Sequence, residues 1–296
     1  MDAVDQVIVG LLKSDGRLPH REIARLSGIS RSVVAARMHR LLTSGEVVVR
    51  GVVHPAVLGR SSLAHVGVAV SGRADVVAER VAERSDVPFV SLTAGPYAVV
   101  AELRTGSPRD IDEALAAIRL LPGVRALDTL PYAEVIRDVV GPTGAVATTV
   151  DATDVALLRA LQDDGRASYV ELAAVVGLSP AGVRRRVVRL LEAQVVRVGA
   201  LVRQSGDDPQ VALGIGIRLG GGHEEVVAAL LGLPAVSFLA RTWGRFDAVA
   251  TLRTFTPGAL LEALDAVRSL DGVADVESWS HLRFVKETYA APALQP

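Results

Sequence analysis

Two short stretches hold the side chains best suited to chemistry, and that chemistry is the reading of a nucleic-acid duplex. The first carries Ser30, Arg31, Ser32, Arg37, His39 and Arg40; the second carries Ser179, Arg184, Arg185, Arg186 and Arg189. Hydroxyls and guanidiniums at helical spacing suit a helix laid in the major groove of double-stranded DNA, with contacts to phosphates and base edges. Ser30 and Ser179 each fit an N-cap, and Pro180 fits the first helical position, where a missing N–H costs nothing. Val34, Met38 and Leu41 recur at helical spacing, as do Val183, Val187 and Leu190, which predicts the buried side of each helix. Gly28 and Gly177 stand where one helix must end and the next begin at a steep angle. Consecutive Arg184, Arg185 and Arg186 fan over roughly two thirds of a turn and cannot all reach bases. Arg186, which matches Arg37, is expected to serve the DNA backbone or a local carboxylate. A surface helix with solvated arginines is the plain alternative for either stretch alone.

These two stretches are copies. Asp15, Gly16, Arg17, Glu22, Gly28, Ser30, Arg37 and Arg40 return as Asp164, Gly165, Arg166, Glu171, Gly177, Ser179, Arg186 and Arg189, at one gapless spacing of 149 residues. Around them, residues 2–14, 20–27 and the run from Arg31 to near Gly45 read as three helices. The β-branched GEVVVRGVV that follows suits a short wing or a connecting strand, and HPAVLG a turn. Strands are predicted over 63–70, 89–93, 97–103 and 124–136, and helices over 74–83 and 110–121. This βαββαβ order is ferredoxin-like. It also recurs at the same spacing, as Gly67/Gly216, Phe89/Phe238, Gly95/Gly244 and Gly123/Gly272 attest. The Gly, Pro and Thr of 141–153, without apolar periodicity, mark a linker. The fold class expected is α+β: a winged helix-turn-helix head plus a ferredoxin-like domain, the pair repeated twice in tandem. The bounds expected are 1–50 for the first head, 61–138 for the first sheet domain, 139–152 for the linker, 153–200 for the second head and 210–288 for the second sheet domain.

Composition narrows the function. Net charge is −1 and half of the 296 residues are hydrophobic, so any contact with nucleic acid is local. Residues 1–50 hold eight Lys and Arg against five Asp and Glu, and residues 151–200 seven against six. The first head is therefore the better prepared for a polyanion. Without cysteine, disulfides and thiolate ligands are excluded, and the six histidines form no short metal-binding spacing. No phosphate loop, G-x-S-x-G or other catalytic motif occurs, so no cofactor is expected. The first residues lack a signal peptide's basic start, and no stretch approaches a membrane span. A cytoplasmic protein without membrane contact is the expectation.

The residues Asp5 to Arg17 (D-x-x-x-x-x-LL-x-x-DGR), Glu22 to Ser30 (E-x-A-x-x-x-GIS) and R-x-x-RLL followed by GEV resemble the Lrp/AsnC (feast/famine) family of transcriptional regulators. The second copy carries DGR, ELA-x-x-x-GLSP and RVVRLL. A typical member has one such unit, so this chain resembles two fused in tandem. The resemblance implies a pocket for a small effector, typically an amino acid, near a G-D-Y-D-like turn between the two hairpin strands. Here that turn reads Gly95-Pro96-Tyr97-Ala98 in the first copy and Gly244-Arg245-Phe246-Asp247 in the second. Thr242, Trp243, Gly244, Arg245 and Asp247 are thus the candidates for effector binding, with Thr93, Gly95 and Tyr97 as weaker ones. Asp247 can pair with an ammonium and Arg245 with an acid; alternatively the glycines make a tight turn that Asp247 orients. The threonine hydroxyls line a pocket or satisfy a carbonyl, and Trp243 forms a wall, an interface anchor or core. The resemblance further implies that the sheets pair as an intramolecular pseudo-dimer, with assembly to a homo-oligomer, dimer or tetramer. Two rivals stand beside this reading. Siroheme decarboxylases share the architecture, but the hairpin strands here hold no histidine for acid–base work. The other rival is a sensing or assembly module whose heads no longer bind DNA.

Overall fold

The computed structural model describes residues 1–139, 141–144, 146, 148–202 and 211–288. Residues 140, 145 and 147 of the expected linker, and residue 210 at the edge of the second sheet domain, lie outside the described residues. The chain divides into two compact units, one of heads (residues 1–58 with 140–208) and one of sheets (59–139 with 209–289).

In the head unit the first copy builds α1 (Ala3–Ser14), α2 (His20–Ser27) and α3 (Arg31–Thr43); the second builds α6 (Ala152–Asp163), α7 (Tyr169–Val176) and α8 (Pro180–Glu192). Local chemistry sets the boundaries. Asp2 with Asp5, and Asp151 with Asp154, close capping boxes on α1 and α6. Gly28 and Gly177 end α2 and α7 in the left-handed region, with φ of 71° and 67°. Ser30 and Ser179 cap α3 and α8 within the next three residues.

The expected wing takes a different form. β1 (Val47–Val53) pairs antiparallel with β6 (Val196–Val202) of the other copy, with Val49 opposite Ala200. Seven consecutive residues, most of them β-branched, have no second strand in their own head, so they find one in the duplicate. Val198 and Ala200 of β6 complete the core of the first head around Ile8, Met38 and Leu41, while Val53 of β1 joins the core of the second. Val146 and Val150, from the stretch expected to be a linker, pack on that second core, and HPAVLG forms a single 3₁₀ turn, Pro55–Leu58.

The D-G-R motif fastens the ribbon. Gly16 N–H donates to Val198 O at 2.8 Å and Gly165 N–H to Val49 O at 3.0 Å. A Cβ at Gly165 would stand 2.9 Å from the Arg50 carbonyl carbon, so the approach requires glycine. Arg17 then donates to Gly165 O and Ala167 O at 2.6 and 2.9 Å, and Arg166 reciprocally reaches Gly16 O and Leu18 O.

The sheet unit holds two βαββαβ halves: β2 (Ser62–Val70), α4 (Ala74–Ala82), β3 (Phe89–Ala94), β4 (Val99–Thr105), α5 (Pro108–Arg119) and β5 (Val124–Arg137), then β7 (Val211–Leu219), α9 (His223–Gly232), β8 (Val236–Thr242), β9 (Ala248–Thr254), α10 (Pro257–Arg268) and β10 (Val273–Glu287). The strands close a barrel in the order β10-β3-β4-β2-β5-β8-β9-β7. Closure depends on the long last strand of each half. β5 pairs with β2 as far as Pro131, then crosses to β8 from Tyr132 to Arg137; β10 likewise serves β7 and then β3. Each sheet buries one face under its helices, and a third apolar cluster (Val100, Leu130, Phe238, Phe246, Val249 and Trp279) fills the interior.

The reciprocal hooks predict that Arg17→Ala and Arg166→Ala each lower stability by about 1–3 kcal/mol. Because each arginine's carbonyl acceptors lie beside the other arginine, the double variant is expected to deviate from additivity, which thermal melts of the four proteins measure.

Candidate functional site

The two recognition surfaces sort into outward and inward groups. Arg31, Ser32 and His39 on α3, and Arg184 and Arg185 on α8, are exposed. Among the described residues no ion pair engages Arg31, Arg184 or Arg185, so three cations stand ready for phosphate. Ser30 accepts from Val33 N–H and Ser179 from Gly182 N–H, so these hydroxyls cap the helices.

Four arginines of the recognition helices bond carboxylates of their own heads, the local role that is one of the two expected for Arg186. Arg37 bonds Asp2 and Asp5 at 2.7 and 3.4 Å, and Arg40 bonds Asp5 at 2.5 Å and Glu46 at 3.3 Å. In the second head Arg186 bonds Asp151 and Asp154 at 2.7 and 2.9 Å, and Arg189 bonds Asp154. Asp5 and Asp154 are each only 1% exposed. A buried carboxylate needs cationic partners, and these guanidiniums supply them. The sequence carried this signal: the i,i+3 acids on the first helix and the i,i+3 arginines on the third recur together at the same spacing.

The expected effector turns are likewise occupied. Thr93 Oγ1 donates to Tyr97 O at 2.8 Å and Thr242 Oγ1 to Phe246 O at 2.7 Å, so both hydroxyls close their own turns. Gly95 and Gly244 adopt φ of 157° and 130°, where a side chain is strained. Asp247 accepts from Leu219 N–H at 2.8 Å, which uses it to orient the turn. Arg245 lies between Asp128 and Glu277 at 2.9 and 3.0 Å and packs 4.2 Å over the Phe246 ring. An acidic ligand would have to compete with these two carboxylates for it. The Tyr97 ring fills the space over Gly67. Trp243 is 66% exposed, so the core reading of it does not hold.

A cavity of about 40 Å³ lies inside the barrel instead. Its walls are pairs related by the 149-residue repeat: Phe89 with Phe238, Val100 with Val249, Glu102 with Thr251 and Tyr132 with His281. The polar pairs have diverged, so an interior inherited from two copies is no longer symmetric. Further divergence is complementary. Across β2 and β5 His65 faces Leu130; at the repeated position Gly214 faces Trp279. A Cβ on Gly214 would overlap the indole, and the indole in turn sits 5.3 Å from the His65 ring.

Burial controls the charges there. It depresses His65 to a pKa of about 4, against an opposing pull from Asp128, and His281 to about 3, helped by Arg253. Both rings are neutral near pH 7. Burial raises Glu102 against the pull of Arg104, which also binds Asp138 at 2.8 Å; Tyr132 Oη donates to Glu102 at 3.3 Å. Neither histidine stands on a hairpin strand: they come from β2 and β10, where inspection of the hairpins alone could not find them. Among the described residues no cluster of three or more His, Asp and Glu is arranged to hold a metal.

The histidines make the barrel acid-labile. An unfolded imidazole titrates near 6.5, and the folded His65 near 4, so the unfolded chain takes up its proton first. Stability from this residue is complete above pH 6.5 and falls as the pH drops toward 4, by on the order of 3 kcal/mol. Urea melts across that range are expected to show a shallower loss in His65→Leu. Gly214→Ala is expected to cost about 1–3 kcal/mol by overpacking against the indole, read as a lowered melting temperature at pH 7.

The AsnC-type helix-turn-helix domain model matches residues 1–42 and 150–191. The HTH-type transcriptional regulator FL11 of Pyrococcus horikoshii is 31% identical over 132 residues, 44% of this chain and 87% of that protein. The leucine-responsive regulatory protein of Rhizobium meliloti is 52% identical over 52 residues, 18% of this chain and 33% of its own length. Among solved structures, the siroheme decarboxylase NirDL aligns with a TM-score of 0.64 over 96% of this chain and 93% of that one, at 15% identity. That likeness is one of fold. Two matched heads at one spacing, and a relative covered nearly end to end by one copy, carry the assignment: the chain belongs to the Lrp/AsnC family of transcriptional regulators.

Proposed function

We propose that this chain is a sequence-specific DNA-binding regulator with two unlike heads on one polypeptide, its barrel acting as an intramolecular pseudo-dimer that responds to a small-molecule effector such as an amino acid. The observation that carries the reading is the contrast between the outer faces of α3 and α8. Arg31 of the first corresponds to Pro180 of the second, Ala35 to Arg184 and His39 to Val188. Two helices joined by the β1–β6 ribbon but armed differently suit an operator with unlike half-sites. The names of the relatives support the regulatory role. Further assembly to a homo-oligomer does not use barrel strand edges, since the barrel leaves none open.

The fold likeness to a siroheme decarboxylase, together with two cavity histidines, is what favours the enzymatic alternative. A cavity of about 40 Å³ is far too small for a tetrapyrrole. An absorbance titration with siroheme is expected to show no saturable complex.

Mobility shift on DNA upstream of the chain's own gene tests the main reading. Arg31→Ala is expected to weaken binding about tenfold and to protect one half-site less in footprints. Arg184→Ala with Arg185→Ala does the same at the other half-site, and the salt dependence becomes shallower by about one unit of slope for every phosphate no longer neutralised. Arg40→Ala is expected instead to lower the melting temperature of the heads, since Asp5 is deprived of a partner. Affinity unchanged in both outward variants would overturn the assignment of these faces, and no shift at either low or moderate salt would favour a module whose heads no longer bind DNA.

A further inference from the structure

Two side chains that line the barrel cavity carry buried polar atoms that the fold does not use. Trp279 is 6% exposed and lines the cavity, yet its Nε1–H has no hydrogen-bond partner among the described residues. Both ring nitrogens of His281, on the same wall, are buried and equally without a partner. Each such atom costs about 1–3 kcal/mol of lost hydration unless something else bonds it. Trp279 and His281 are two apart on β10, so they project to the same side of the strand.

The arrangement is built. Gly214 clears the space that the indole fills, while His281 stacks on Phe284 at 5.4 Å. Arg253 also lines the cavity, its charge balanced by the ion pair with Glu287. The acid in the wall, Glu102, is held by Arg104 and Tyr132, which leaves an ammonium poorly served. Size limits the guest. At about 10–15 Å³ for each water-sized probe, about 40 Å³ takes only a few heavy atoms.

We propose that the cavity binds a small monocarboxylate of about two or three carbons, its oxygens accepting from Trp279 Nε1–H and a His281 ring N–H and its alkyl end lying against Phe89 and Phe238. The anion would draw protons toward the neutral histidines, which couples occupancy to the charge inside the barrel. Its regulatory meaning rests on the barrel being an effector unit; binding itself is measured without DNA, so the two readings fail separately.

The test uses the full chain carrying Trp243→Phe, in which Trp279 is the remaining indole. Sodium propionate is titrated at constant ionic strength and indole fluorescence is read, with sodium chloride, n-propylammonium chloride and alanine in parallel. The expected result is saturation by propionate, about tenfold weaker binding of alanine, and no saturation by either chloride salt. His281→Phe in the same background retains the ring stack and is expected to weaken propionate about tenfold or more. Melts by circular dichroism establish that it folds; if it does not, the titration of Trp243→Phe alone decides. A linear response, an equal response to chloride, alanine binding as tightly as propionate, or undiminished binding by folded His281→Phe would each overturn the assignment.

Discussion

Each head lacks one strand of its own core, and its duplicate supplies it. Val198 and Ala200 close the first head as Val53 helps to close the second. Main-chain pairing along β1 and β6, the near approach that only Gly16 and Gly165 permit, and the paired arginine hooks are all parts of that one exchange. Recognition helices packed on such cores inherit their mutual geometry. Covalent fusion adds something further: the partner strand is present at high effective concentration, so pairing costs less entropy than between separate chains.

The same logic is repeated in the sheets with other means. A four-stranded ferredoxin-like sheet leaves outer strands exposed, and exposed strands invite association. Here β5 and β10 run past their own sheets and finish on the other half, so every strand has two neighbours. The enclosed interior brings side chains from both copies face to face. Duplicated positions there were free to part once each pair lay within one chain. Tyr132 beside its counterpart His281, and Glu102 beside Thr251, are products of that freedom.

Much of this was legible in the order of residues. Capping serines, the turn glycines and apolar spacing located the helices of the first head to within a residue or two, because those signals are local. The 149-residue repeat gave the tandem plan and the βαββαβ order. What could not be read was which partner a side chain would find. Arg37 and Arg40 look like any basic helix face when read alone, and only their matched spacing with Asp2 and Asp5 hints at the pairing that α1 brings about. Arg245 looked free until Asp128 and Glu277 arrived from strands distant in sequence. The cavity was hidden for the same reason: His65, Tyr132, Trp279 and His281 stand on three different strands, and only barrel closure brings them together.

Arg245 illustrates how a duplicated protein loses the ability to return to its origins. Asp128 and Glu277 are the same position in the two copies, and one guanidinium lies between them; its own counterpart is Pro96. Were two first copies to pair with each other, two acids would meet with no counterion. Two second copies would set two guanidiniums beside two carboxylates, a balanced group, so the dependence runs one way: a first half severed from the second would lose the arginine that its acid is paired with.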